Sequence, residues 1–459
     1  MNRLVSLTAL LGERCCTDAD TLQRYGLDWT RFCQPAPLAV LFPQTQEEVQ
    51  EIVRIANREG LQLVPSGGRT GLSGGACATA GEVVVSLERM NRLLAFDATD
   101  RLMTVEAGMV TETLQQLARE RGLYFPVDFA SRGSSQVGGN VATNAGGIRV
   151  LRYGMFRDWV AGLTVVTGAG ELLQLNHGLV KNNTGYDLRH LFVGSEGTLG
   201  LVTAVTLKLA RPPADSGVML FAVPQLADVM TVLARFRQFA DPLAFEFFSD
   251  AALAQVEARG HVASPFEGRY GYYALVEYER ITPDVDEMAL TAFAGLAGEG
   301  VVADAVLAQS DEQARRLWRL REDISESITP RTPYKNDIAV HPSQVPAFVA
   351  ELDTLLAREY PGFEVVWFGH IGDGNLHVNV LRPPELTVEA FRQACERVNA
   401  LVFGLVAAYN GSMSAEHGVG LLKAPYLAVS RSPEEIALMR GIKAVFDPRG
   451  VMNPGKLIA

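Results

Sequence analysis

Apolar positions along the chain change their period several times, and each change marks an element. Val49, Ile52, Val53 and Ala56 recur at helical spacing, after Thr45 and Glu48 in a capping-box pattern and ahead of Gly60. Those signals predict one helix between them. A short apolar strand follows at 61–64, then strands at 82–87 and 101–106 and a helix over 111–121. Two apolar stretches within 159–175 predict a hairpin, and 201–209 predicts a strand. Arg211-Pro212-Pro213 then interrupts the pattern and is taken as a domain boundary. Beyond it, helical patterns at 227–239, 284–297 and 310–327 alternate with a strand at 270–277. Residues 365–370 and 376–380 read as two strands about Gly372-Asp373-Gly374-Asn375, a strong turn signal. The expected fold class is α+β.

Composition narrows what such a chain can do. At 459 residues it favours two or more cooperating domains of roughly 100–200 residues each. With 48 % hydrophobic and 20 % charged residues, it has material for packed cores, which excludes a disordered or fibrous protein. The 52 acidic against 41 basic residues give a net charge of −11 and argue against nucleic acid as a partner. The longest apolar run, 401–409, is about half the roughly 18 residues of a membrane span. Cys15, Cys16, Cys33, Cys77 and Cys395 are odd in number and scattered, so they are read as reduced thiols in a cytoplasmic protein. Residues 1–11 lack a small-residue cleavage site before Glu13 and Arg14, so an amphipathic first helix is expected there rather than a signal peptide.

Three glycine-rich segments carry the first candidate chemistry. Pro65-Ser66-Gly67-Gly68-Arg69-Thr70-Gly71-Leu72-Ser73-Gly74-Gly75 puts five glycines behind a strand, which suits close backbone approach to phosphate. No Gly-Lys-Ser/Thr follows, and the glycine spacing misses the dinucleotide fingerprint. Alone, this loop favours a phosphate ligand, with a tight turn as the lesser alternative. Gly138-Gly139-Asn140-Val141-Ala142-Thr143-Asn144-Ala145-Gly146-Gly147 has almost no side chains to pack, which favours a ligand. The third segment runs from Lys181-Asn182-Asn183-Thr184-Gly185-Tyr186 to Gly194-Ser195-Glu196-Gly197-Thr198-Leu199-Gly200. Together the three resemble the FAD-binding domain of vanillyl-alcohol-oxidase type flavoproteins. The resemblance implies that Ser66, Gly67, Gly68, Arg69, Thr70 and Gly71 hold the pyrophosphate, with Pro65 and Ser73 on the same cofactor-binding loop. It implies that Gly139, Asn140, Thr143, Asn144, Gly147, Gly197 and Val202 line the flavin with its ribityl and adenine ends. Several relatives attach the flavin through a His or Cys near the first loop. Here Arg69 follows Gly67-Gly68, so non-covalent FAD is expected.

Seven histidines occur in all, and three fall in two conspicuous segments. His370 and His377 flank one tight turn, and two imidazoles so placed suit a zinc-like ion. His377 and Asn379 lie two apart and share a strand face. Ser414-Ala415-Glu416-His417-Gly418-Val419-Gly420 offers a carboxylate as third ligand, and an extended segment would point Glu416 and His417 opposite ways. Taken singly, each histidine is better explained by ordinary hydrogen bonding, whereas the set, flanked by so many glycines, favours function. A zinc hydrolase with a nucleotide ligand is a distant alternative, although no H-E-x-x-H is present. Arg321 and Ser325, four apart on a helix, and Lys335 beyond the proline-bounded turn offer an anchor for an acidic substrate. Surface ion pairs of Arg321 or Lys335 with Glu322 or Asp337 are the alternative.

The second-half motifs, with Phe446-Asp447-Pro448 and Asn453-Pro454-Gly455-Lys456, resemble the FAD-linked D-2-hydroxyacid dehydrogenases over nearly the whole chain. Within that family they are most similar to the bacterial enzymes acting on D-2-hydroxyglutarate. The resemblance implies zinc, or a similar divalent metal, on His370, His377 and Glu416, with His417 as the catalytic base and a substrate contact. It implies Arg321, Ser325 and Lys335 on the distal carboxylate, Asn379 as a further substrate contact, and Asn453 on the cofactor. The family often has Thr where Ser325 stands, and the hydroxyl is kept. The expected layout is an FAD domain over 1–213, a cap with an antiparallel sheet over 214–410, and a segment 411–459 that returns to close the site. D-malate is expected as a second substrate, with D-lactate or glycolate dehydrogenase as the near alternative. The implied electron acceptor is an electron-transfer flavoprotein or a quinone-linked carrier, and a homodimer is compatible with the sequence.

Overall fold

The structure, a computed structural model, describes residues 3–30 and 32–458. Met1 and Asn2, which open the expected first helix, lie outside the described residues; the helix runs Val5–Leu11 and buries Leu7 and Leu11. Two compact units form. The first takes Met1–Gly146, Gly154–Pro212 and Glu416–Ala459, and the second takes Gly147–Tyr153 and Pro213–Ala415.

The first unit contains two sheets among its described residues. Strands β1 (Cys15–Cys16), β2 (Ala39–Leu41), β3 (Leu63–Ser66) and β4 (Val83–Ser86) lie in the order β1-β2-β4-β3, and β4 runs parallel to both β2 and β3. The helix Gln46–Glu59 links β2 to β3, and such a crossover is what a parallel connection requires. Thr45 caps it by accepting from the Glu48 N–H at 3.2 Å, and Gly60 ends it in the left-handed region. The reciprocal half of the expected capping box is absent, because the Glu48 carboxylate binds Arg14 at 2.6 Å and the Gln44 N–H at 2.7 Å.

The second sheet of this unit is antiparallel: β5 (Leu93–Asp97), β6 (Leu102–Glu106), β7 (Val160–Thr167), β8 (Leu172–Leu175) and β9 (Gly200–Lys208), ordered β5-β6-β9-β7-β8. Its inward side chains, among them Val105, Val165 and Val205, share one core with Val49, Ile52 and Val53 of the helix. The glycine-rich stretch after residue 131, which has no helical periodicity, nevertheless forms a short helix, Val137–Thr143. Val137 and Val141 are its buried anchors, and Asn144 ends it in the left-handed region. The C-terminal segment adds a strand-like edge: Leu63 N–H donates to Val451 O at 2.7 Å and Asn453 N–H to Leu63 O at 2.7 Å.

The second unit is built on seven antiparallel strands: β10 (Ser216–Val223), β11 (Pro242–Ser249), β12 (Tyr272–Glu279), β13 (Asp304–Leu307), β14 (Tyr334–Ala339), β15 (Val365–Gly369) and β16 (Asn375–Val380). Their order is β13-β10-β12-β11-β15-β16-β14. The helix expected over 310–327 is two, Asp311–Glu322 and Ile324–Ile328, meeting at Asp323. Ser327 bonds its hydroxyl back to the Asp323 carbonyl at 2.8 Å, a local bond that competes with a continuous helix. The helix Val388–Ala408 is the longest element; among the described residues no helix is long and apolar enough to cross a membrane.

Candidate active site

In the second unit, the pleat of β16 sorts its residues by chemistry. Asn375, His377 and Asn379 share one face, while Leu376, Val378 and Val380 turn to the other. Across the ladder, Asn379 stands opposite Lys335 and His377 opposite Asp337, so β14 extends the polar face. On the other side, Phe368 pairs with His377 and Val366 with Asn379. A buried polar face of this kind costs free energy unless its groups find partners.

The partners found are specific. The His370 and His377 rings lie 5.3 Å apart, nearly perpendicular at 82°. The turn that brings them together is a single 3-10 turn, Ile371–Asp373, closed by Gly374 at φ 86°. His370 Nδ1 lies 2.7 Å from Glu246 Oε1, and His377 Nδ1 lies 3.6 Å from Asp337 Oδ1. Asp337 also accepts from Asn375 Nδ2 at 2.9 Å. Where Glu246 accepts across this contact, the hydrogen lies on Nδ1 of His370 and the ring's lone pair on Nε2. That tautomer suits a metal ligand, and a carboxylate behind the imidazole is the usual support.

Arg321 is not a surface residue. It is buried, its guanidinium stacks on Phe368 at 4.7 Å, and it pairs with Glu246 Oε2 at 2.7 Å. Its Nε is buried with no hydrogen-bond partner among the described residues. Removing one member of such a pair strands the other, at a cost of roughly 3–5 kcal/mol. Ser325 lies on the short helix Ile324–Ile328, beyond the break at Asp323. Lys335 is half-buried on β14.

Glu246 was not anticipated. The available signal was a carboxylate within the apolar run Leu243, Ala244, Phe245, Phe247, Phe248, which forms a fully buried strand. β11 meets β15 through Phe247–Gly369 and Phe248–Phe368, and the same register puts Glu246 against His370.

In the first unit the glycine segments converge. A Cβ on Gly67 would sit 3.6 Å from Gly139 Cα and 3.7 Å from Gln136 Oε1, so two bare backbones face each other. Ser66 Oγ, Gln136 Oε1 and Asn453 Oδ1 are buried with no hydrogen-bond partner among the described residues. Such unpaired atoms along bare backbone are what a polar cofactor satisfies, so these residues fit FAD. Gly68 packs on Ser134, and Gly71 O accepts from Trp29 N–H at 2.9 Å, leaving Thr70 between them on the loop. Arg69 stacks over Tyr25 at 4.1 Å, and burial draws its guanidinium below the usual value. Gly197 lies against Pro65, and Val202 is buried on β9.

Three of the expected flavin residues also make structural bonds with their side chains. Asn140 Nδ2 donates to Thr111 Oγ1 at 2.7 Å, Thr143 Oγ1 to Gly139 O at 3.0 Å, and Asn144 Oδ1 accepts from Arg157 N–H at 2.9 Å. Gly147 belongs to the second unit.

Glu416 and His417 occupy a bend, not an extended strand. Glu416 lies against Gly146, where any Cβ would strike its carboxylate. The next residues are held by Glu196: its two oxygens accept the Val419 and Gly420 N–H groups, each at 2.7 Å. Burial pushes the Glu196 carboxyl above its ordinary value, and those N–H bonds oppose the rise. Ser73 Oγ donates to Gly418 O at 2.9 Å, and Asn453 Nδ2 donates to Gly75 O and Glu196 O. The first glycine loop and the Glu416–His417 bend are thus tied through shared partners.

Residues 37–176 match a family described as FAD binding domain, and 212–457 match FAD linked oxidases, C-terminal domain. A protein of Stutzerimonas stutzeri named D-2-hydroxyglutarate dehydrogenase is 55 % identical over 443 residues, 96 % of each chain. The chain belongs to the FAD-linked D-2-hydroxyglutarate dehydrogenase family. The bovine family member, a mitochondrial enzyme of the same name, is 36 % identical over 99 % of this chain and 83 % of its own. Among solved structures, p-cresol methylhydroxylase with substrate bound superposes with a TM-score of 0.77 over 99 % of this chain and 96 % of that one. Alkyldihydroxyacetonephosphate synthase gives 0.73 over 99 % and 86 %. At 16 % and 18 % identity these two speak for the vanillyl-alcohol-oxidase type fold of the family, and for the fold alone.

Proposed function

We propose that this dehydrogenase oxidises D-2-hydroxyglutarate to 2-oxoglutarate in the cytoplasm, and accepts D-malate as a shorter substrate. The observation that carries the reading is the buried polar face of β14 and β16 with Arg321, a cation whose Nε has no hydrogen-bond partner among the described residues. Arg321, Ser325 and Lys335 hold the distal carboxylate, and Asn379, opposite Lys335, contacts the substrate beside them. His370 and His377 hold a divalent cation, taken to be zinc, with Glu416 as the carboxylate ligand. When bound, the cation would supply Lewis acidity toward the 2-hydroxyl, and non-covalent FAD would supply N5 as the acceptor for the C2 hydride. His417 takes the hydroxyl proton as general base. In this division residues 1–213 hold the flavin, 214–410 the substrate, and 411–459 bring the base. Electrons leave to an electron-transfer flavoprotein or a quinone-linked carrier.

A second reading has one specific support: a putative mitochondrial D-lactate dehydrogenase of Schizosaccharomyces pombe is 35 % identical over 96 % of this chain. Anaerobic reduction of the flavin by D-2-hydroxyglutarate, D-malate, D-lactate and glycolate, with and without chelator, separates the two. Fast bleaching by the dicarboxylates alone, lost on chelation, is expected. Bleaching by D-lactate or glycolate alone would overturn the substrate assignment and leave the fold standing.

A further inference from the structure

Glu246 has no part in the chemistry above, yet it touches two residues that do. Its side chain is 1 % exposed, in the middle of a strand that is otherwise apolar between Leu243 and Phe248. One oxygen hydrogen-bonds with His370 Nδ1 at 2.7 Å; the other lies 2.7 Å from Arg321 Nη2 as an ion pair without hydrogen-bond geometry. We propose that Glu246 is a positioning residue shared by the metal and substrate subsites, fixing the His370 tautomer with one carboxylate oxygen and the Arg321 guanidinium with the other. The inference rests on the reading of those two subsites given above.

With its hydrogen on Nδ1 and that hydrogen held by Glu246, the His370 ring cannot turn over, and Nε2 is left as the only lone pair for a cation. Arg321 is fixed on two sides, by Glu246 at Nη2 and by the Phe368 ring at 4.7 Å. Its Nε–H is left without an acceptor among the described residues, an unspent donor for an arriving carboxylate. A neutral residue at 246 would release the ring, strand the guanidinium, or both. The two oxygens act on different partners, so the two effects are separable.

Three variants test this. Glu246→Gln keeps an oxygen for His370 Nδ1–H but turns an NH2 group toward the Arg321 Nη2 donor. Glu246→Ala removes both contacts. Glu246→Ala combined with Arg321→Met removes both without leaving a stranded buried charge, and so remains informative where the single alanine variant fails to fold. Zinc affinity is measured by chelator competition, 2-oxoglutarate affinity by calorimetry, and FAD per chain as the check on folding. Expected is zinc binding weaker by about 10–100-fold in both alanine variants, with FAD content at the wild-type level. Glu246→Gln is expected to hold zinc close to wild type while binding 2-oxoglutarate about tenfold or more weakly. Wild-type zinc affinity in the double variant, or wild-type 2-oxoglutarate affinity in Glu246→Gln, overturns the shared role. Wild-type protein that binds neither zinc nor 2-oxoglutarate overturns the underlying reading instead, a result visible before any variant is made.

Discussion

Gly146 gives the sharpest test of the Glu416 bend. A Cβ at this position would sit 3.1 Å from Glu416 Cδ and 3.2 Å from Cγ, and would run into the nearer carboxylate oxygen. Ordinary contact begins at 3.4 Å. Gly146→Ala therefore forces the carboxylate to retreat by about 1 Å, and a misplacement of that size can cost about 100-fold in rate. The backbone should tolerate the change, because Gly146 is not among the glycines at positive φ. Replacing a glycine whose conformation alanine can adopt adds roughly 0.4–1 kcal/mol by restricting the unfolded chain. The expected outcome is thus kcat/KM for D-2-hydroxyglutarate down about 100-fold and zinc retained less tightly, with a melting temperature equal to or above wild type and FAD content unchanged. Steady-state kinetics, chelator competition and a thermal melt on one preparation read all of these. Wild-type kcat/KM in a folded, flavin-loaded Gly146→Ala protein would show that the position of Glu416 does not matter to turnover.

Three further outcomes are expected. His417→Ala should lower turnover by about 100- to 10,000-fold while FAD stays bound; near-normal rates would remove it as the base. Lys335→Ala should raise KM for D-2-hydroxyglutarate and D-malate far more than for D-lactate, and an equal rise for all three would contradict the anchor. Burial pushes the Asp28 carboxyl above its ordinary value of 3.8, so the folded state binds the proton more tightly than the unfolded one. The stabilisation this gives is fully present below that ordinary value and is lost as pH rises through the raised one. Asp28→Asn, which still offers an acceptor to the Thr30 N–H, should therefore match wild type near pH 4 and melt higher at pH 8; parallel melting curves across that range count against it.

What could be read from the chain was local. The helix Gln46–Glu59 announced itself because Thr45, the spacing of Val49, Ile52, Val53 and Ala56, and Gly60 all act within one stretch. The β15–β16 hairpin was legible for the same reason, its turn being written in glycines 372 and 374. Resemblance, not periodicity, supplied the family. Hidden features were those decided by distant chain. The helix Val137–Thr143 has two glycines in its first turn, and what holds it is the burial of Val137 and Val141 in the core, which no local pattern expresses. Glu246 meets His370 from 124 residues away, and Glu196 meets Val419 from 223. Arg321 could not be told from a surface ion pair until its ring partner Phe368 was in view.

The edge pairing of Leu63 with Val451 and Asn453 bears on how the enzyme is made. β3 feeds directly into the first glycine loop, so the strand that presents that loop leans on residues synthesised almost four hundred positions later. Growing chains emerge at about 5–20 residues per second, so at least roughly 20 seconds separate the two partners at the ribosome. Through that interval the early glycine loops lack the Asn453 amide that ties Gly75 to Glu196. Flavin capture then belongs to the end of synthesis, and premature termination anywhere before residue 451 should yield colourless protein rather than a yellow, partly active fragment.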